Sequence, residues 1–151
     1  MRRLFSLLFL SLFTLLTYAQ AAADFDGTYE SVADEVTLHL DLATNALVIP
    51  DYEFLGPVGG YIEGKGLYGV WMLTSHAIEG DTLLLRFCND LGSDAQDITL
   101  TRNPDNTLRF EAIGTNNLRK AVGRKLVKIA SRMILTPKPT PTPPCTEDLS
   151  K

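Results

Sequence analysis

Glu35-Val36-Thr37-Leu38-His39-Leu40-Asp41-Leu42 alternates without a break. Val36, Leu38, Leu40 and Leu42 fall on one side of an extended chain, and Glu35, Thr37, His39 and Asp41 on the other. Strict period-two alternation is the signature of a strand with one buried and one wetted face, the pattern of antiparallel sheets. The same reading extends outward from this stretch. Gly27–Val32 is a short strand before it. Ala43-Thr44-Asn45 makes a turn after it, and Ala46-Leu47-Val48-Ile49-Pro50 returns as the second arm of a hairpin. Leu67–Leu73 is apolar on both faces and reads as a central strand. Glu79-Gly80-Asp81 turns the chain into a strand over Thr82–Cys88, and Asn89–Asp94 is a loop. Asp97–Thr101 and Thr107–Ala112 are strands joined by the turn Asn103-Pro104-Asp105-Asn106. The result is seven strands in up-and-down order.

Two segments resist this scheme. Residues 55–69 carry Gly56, Gly59, Gly60, Gly64, Gly66 and Gly69. No Lys-Ser/Thr follows at phosphate-loop spacing and no helical pattern succeeds them, which removes nucleotide binding. Bulges and tight bends of a curling sheet account for the glycines; the functional alternative is a mobile loop over a pocket mouth. Residues 118–135 read either as an amphipathic helix with Leu118, Val122, Leu126, Ile129 and Met133 on one face, or as a strand from Arg124. The strand reading is preferred, because an eighth strand would close the open edges of a seven-stranded meander. The expected fold class is all-β: an antiparallel up-and-down meander closing into a small barrel of about eight strands, with a C-terminal amphipathic helix as the alternative to the last strand.

The ends differ in composition from this body. Arg2 and Arg3 precede the uncharged run Leu4–Leu16, and two A-x-A cleavage sites follow, Ala19-Gln20-Ala21 and Ala21-Ala22-Ala23. This is the layout of a secretory signal peptide over 1–23, and the apolar run is shorter than the roughly 20 residues of a membrane-spanning helix. The expectation is export, to the periplasm or the medium, of a single β-barrel domain over 24–135. Pro137, Pro139, Pro141, Pro143 and Pro144 then mark an extended Pro/Thr-rich tail over 136–151.

Charge is separated along the chain. The net charge is −4. Residues 24–118 hold 16 acidic and 4 basic side chains, a balance of −12, whereas residues 119–132 hold six basic ones and no acid. An acidic body excludes general nucleic-acid binding, which needs a broadly basic face. The basic stripe reads as a solvated face offsetting the body's acidity, with peripheral contact to anionic lipid or to an acidic partner as the functional alternative.

Cys88 and Cys145 are the two cysteines. An oxidising destination permits a bridge between them, pinning the tail to the strand that carries Cys88; two free thiols are the rival. Two cysteines and two histidines do not make a metal site, and no cofactor is implied. His39 lies on a wetted strand face. Ser75 and His76 point to opposite faces of a strand and form no catalytic pair. Asn89–Asp94 lacks the spacing of a calcium loop. The chain reads first as a binding protein, with an enzyme the least favoured of the readings its residues leave open. Tyr61, Tyr68 and Trp71 are the candidate ligand-binding residues, since aromatic side chains lining a cavity favour an apolar or aromatic molecule.

Gly27-Thr28-Tyr29 at the start of the first strand, a meander behind it and a late basic residue, Arg124, resemble the lipocalin-like (calycin) barrels. That family opens on Gly-x-Trp, with a late Arg or Lys packed over the Trp; Tyr29 takes the Trp position here. The resemblance implies a barrel over about 26–135 and a small apolar or amphipathic ligand in its mouth. The alternative is an envelope protein-interaction module, such as an inhibitor or an accessory subunit.

Overall fold

The computed structural model describes residues 22–139. Among these residues ten strands form: β1 (Gly27–Ser31), β2 (Val36–Leu40), β3 (Gly60–Gly64), β4 (Trp71–Glu79), β5 (Thr82–Asn89), β6 (Ala95–Arg102), β7 (Leu108–Ala112), β8 (Arg119–Val122), β9 (Lys125–Lys128) and β10 (Arg132–Pro137). Eight of them close an antiparallel barrel in the order β1–β2–β3–β4–β5–β6–β7–β10. The ring is sealed where Tyr29 pairs with Pro137 and Glu30 with Thr136. β8 and β9 form a separate two-stranded hairpin. Among the described residues no helix is long and apolar enough to cross a membrane.

Alternation builds the interior. Val36, Leu38 and Leu40 of β2 turn inward, as do Leu83, Leu85 and Phe87 of β5, Ile98 and Leu100 of β6, Leu108 and Phe110 of β7, and Met133 and Leu135 of β10. Burying each such side chain contributes roughly 1.5–3 kcal/mol, so register is held by the whole set: a one-residue slip would turn every one of them to water. The barrel bends at Thr74, where the β4–β5 register shifts between Leu73 and Ser75.

The structure departs from the sequence reading in four places. Ala46–Pro50 is not the return arm of a hairpin; in that run only Leu47 pairs, with Val58. The third strand is β3, hidden among the glycines. Glycine is required there because a Cβ would lie 2.9 Å from the His39 carbonyl at Gly60 and 2.5 Å from the Glu35 carbonyl at Gly64. Second, the central strand begins only at Trp71, after Gly69 takes a positive φ of 76°, and runs on to Glu79. Third, residues 118–135 are neither one helix nor one strand. Gly123, at φ 62°, turns β8 into β9, the chain dips back into the core at Ile129, and β10 then closes the ring. Fourth, the tail does not begin at Thr136: Thr136 and Pro137 belong to β10, and the Lys138 N–H bonds the Thr28 carbonyl at 2.8 Å. Residues 1–21, which make up all but the last two positions of the leader expected over 1–23, and residues 140–151 with Cys145 lie outside the described residues.

Candidate functional site

Both ends of the barrel are closed. At the end where β1 begins, Ala22 and Phe25 join the core, and the Arg102 guanidinium lies 5.2 Å over the Phe25 ring while bonding the Asp24 carbonyl. Cation and ring attract there as a cation–π pair. At the opposite end Leu118 and Ile129 are buried. Asn116 holds them in place: its Nδ2 donates to the Ile129 carbonyl at 2.9 Å, and its Oδ1 accepts the Leu118 N–H at 3.0 Å. Gln96 adds a second clamp, accepting the Asn117 N–H at 2.7 Å. Among the described residues no buried side-chain nitrogen or oxygen lacks a hydrogen-bond partner, as burial demands.

The candidate aromatic residues do not converge. Trp71 is a core residue whose indole N–H bonds the Tyr68 carbonyl at 3.3 Å. Tyr68 itself is 53% exposed. Tyr61 points to the outside of β3 yet is only 6% exposed, and like Ile49 it is buried apart from the main cluster. Arg124 occupies the exposed turn of the β8–β9 hairpin, whereas Tyr29 is buried on β1; the basic group that covers an aromatic ring at the barrel's end is Arg102. Cys88 is half-buried on the outward face of β5, between Arg86 and the inward-facing Asn89.

Among the concavities of the described residues, those of about 380, 420, 420 and 530 Å³ lie on the outer wall and rims, and none of these is lined by Tyr61, Tyr68 or Trp71. One holds the exposed Arg86–Asp97 fork, with N–O distances of 3.0 and 2.9 Å, beside Leu84, His76 and Ile113.

An array that sequence reasoning missed crosses β1, β2 and β3 on their outer faces. His39 Nδ1 lies 3.1 Å from Thr28 Oγ1, and its Nε2 lies 2.9 Å from Glu63 Oε1. Its ring stacks on Tyr61 with 4.3 Å between centroids. Burial first, and the Glu63 charge second, push the Tyr61 hydroxyl above its usual pKa. Hydroxyl, imidazole and carboxylate stand in the order of a nucleophile relay, but they share no cavity. Thr28 borders the concavity at the β1–β10 closure, and Glu63 borders one at the other rim. The array is a cross-strand pin. The only cue in the sequence was His39 facing outward; its partners are set by a β2–β3 register that the glycines conceal. Among the described residues no group of three or more His, Cys, Asp or Glu side chains could hold a metal ion.

The largest departure from an ordinary barrel surface is the β8–β9 hairpin. Its inner edge is docked: Tyr68 N–H bonds the Arg119 carbonyl at 2.8 Å and Ala121 N–H the Gly66 carbonyl at 2.8 Å. A Cβ on Gly66 would stand 3.3 Å from the Ala121 carbonyl, and φ there is +74°, so glycine allows the approach. Beyond this foot, Ala121 to Lys128 are all exposed. Arg119 pairs with Lys128 and Ala121 with Leu126 on one face; Lys120 pairs with Val127 and Val122 with Lys125 on the other. Lys120 is tied to Glu35 at 3.7 Å, whereas Arg119, Arg124, Lys125 and Lys128 have no ion pair among the described residues. Val122 is 54% and Leu126 48% exposed. The arrangement offers uncompensated positive charge and solvated apolar side chains on one projecting element.

No family model, no curated protein and no solved structure matches this chain.

Proposed function

We propose that the protein is an exported interaction module that docks through the β8–β9 hairpin onto an acidic surface. The observation that carries this reading is the exposure of Ala121–Lys128 with Arg124, Lys125 and Lys128 unneutralised, on a chain whose net charge is −4. Exposed apolar residues grouped with charge mark interaction sites, and a local field of one sign steers a partner of the other. The alternative, a barrel holding a small apolar or amphipathic ligand, has less support, because both ends are plugged and the interior is filled with side chains. A calycin-like relationship rests on Gly27-Thr28-Tyr29 and on the eight-strand order.

Export and a Cys88–Cys145 bridge complete the proposal. Cys88 faces outward, and non-reducing peptide mapping of exported protein should return the two cysteines in one linked peptide pair. Docking is tested on a sulfonated cation exchanger at neutral pH and low salt. Full-length mature protein should be retained despite its negative net charge, and the double variant Lys125→Glu, Lys128→Glu should flow through with an unchanged circular-dichroism spectrum. Flow-through of the parent protein overturns the reading.

A further inference from the structure

We infer that the surface taken by the hairpin is an anionic lipid leaflet, into which its turn and outer strand wedge. This rests on the docking reading and narrows its partner. A protein groove covers one face of a two-stranded ribbon. Here both faces carry apolar side chains beside cations: Leu126 with Arg119 and Lys128 on one, Val122 and Val127 with Lys125 on the other. Covering either face alone leaves the other's apolar groups in water. A fluid headgroup–acyl boundary encloses both at once, taking apolar side chains inward and leaving cations among the phosphates.

Two further observations agree. Tyr68, 53% exposed, stands at the hairpin's foot, its N–H on the Arg119 carbonyl, and an amphipathic ring at that height suits the headgroup layer. The charge distribution then sets orientation. An anionic leaflet attracts Arg119, Arg124, Lys125 and Lys128 of the hairpin, which have no ion pair among the described residues, and repels residues 24–118 with their balance of −12, so contact is confined to the hairpin. Each basic residue near such a leaflet adds about fivefold in affinity, and raised salt weakens the attraction by screening.

The test is co-sedimentation of full-length mature protein with vesicles of phosphatidylcholine alone, and with vesicles in which a quarter is phosphatidylglycerol. Binding should appear only with phosphatidylglycerol and fall with added salt. Lys125→Glu with Lys128→Glu should weaken it by at least about 25-fold. Leu126→Ser with Val127→Ser, which keeps every charge, should weaken it by about tenfold or more through lost apolar burial. Equal binding to both vesicle types, or binding indifferent to both variants, overturns the inference. Soluble polyglutamate is the parallel arm. Hairpin-dependent binding to polyglutamate without binding to vesicles overturns the lipid assignment and leaves the docking reading standing; binding to neither removes both.

Discussion

Lys120 reaches from the hairpin to the β1–β2 turn, its Nζ 3.7 Å from Glu35 Oε2 and 3.4 Å from the Asp34 carbonyl. Glu35 also faces Lys65 at 3.8 Å. Glu35 is thus engaged twice, while the hairpin charges further out are left to solvent. Ion pairs this open to water contribute under about 1 kcal/mol. Glu35→Gln should therefore leave the unfolding midpoint nearly unchanged while raising amide hydrogen exchange over 119–128. Faster exchange across β4, β5 and β6 as well would show that the pair supports the barrel and not the hairpin's footing.

Asn116 is the keystone of the plug at the hairpin end. Asn116→Ala strands the Ile129 carbonyl and the Leu118 N–H in a buried place, which costs about 1–3 kcal/mol. Urea unfolding should register that loss, and an unchanged midpoint would mean that water replaces the amide at no cost.

Tyr61 should give the barrel an alkaline limit. Its hydroxyl titrates above the ordinary 10.0, so below that pH it is neutral whether folded or unfolded and stability is unaffected. As pH rises past 10.0 the unfolded chain ionises first, and stability falls until the folded pKa is reached. Denaturant midpoints followed through this window should decline in the parent protein and decline less in Tyr61→Phe. Parallel declines would place the alkaline loss elsewhere.

Ala22 bears on processing. It is buried in the core beside Phe25, and of the two A-x-A sites only the one ending at Ala21 retains it. Cleavage after Ala23 would remove it and its carbonyl bond to the Phe25 N–H, 3.1 Å long. Under the export reading proposed above, N-terminal sequencing should begin at Ala22, two residues before the start that a leader over 1–23 implies; a start at Asp24 would show that the core forms without Ala22.

The fold was readable wherever one face of a strand is wet. Val36–Leu40, Leu83–Phe87, Ile98–Leu100 and Leu108–Phe110 alternate in sequence as they do in the barrel. β3 was not readable, because the close approach to β2 replaces side chains with Gly60 and Gly64 and leaves too little alternation to recognise. The apolar run 46–50 misled for the opposite reason: it is hydrophobic enough for a strand, yet Ile49 packs apart from the main core. In 118–135 the apolar positions serve two ends, Leu118, Ile129, Met133 and Leu135 inside, Val122, Leu126 and Val127 in solvent, so no single period describes them. The basic stripe was visible as charge, but its projection depends on Gly123 and Gly66, whose roles appear only once the strands are paired.

The most direct test is a backbone amide correlation spectrum of the mature protein titrated with short-chain phosphatidylglycerol below its micelle concentration. Shifts confined to residues 119–128 and the adjoining 66–68, with the barrel strands unmoved, are the predicted result. Shifts centred on the 42–59 loop or on the edge of β4, with the hairpin amides unmoved, would contradict it.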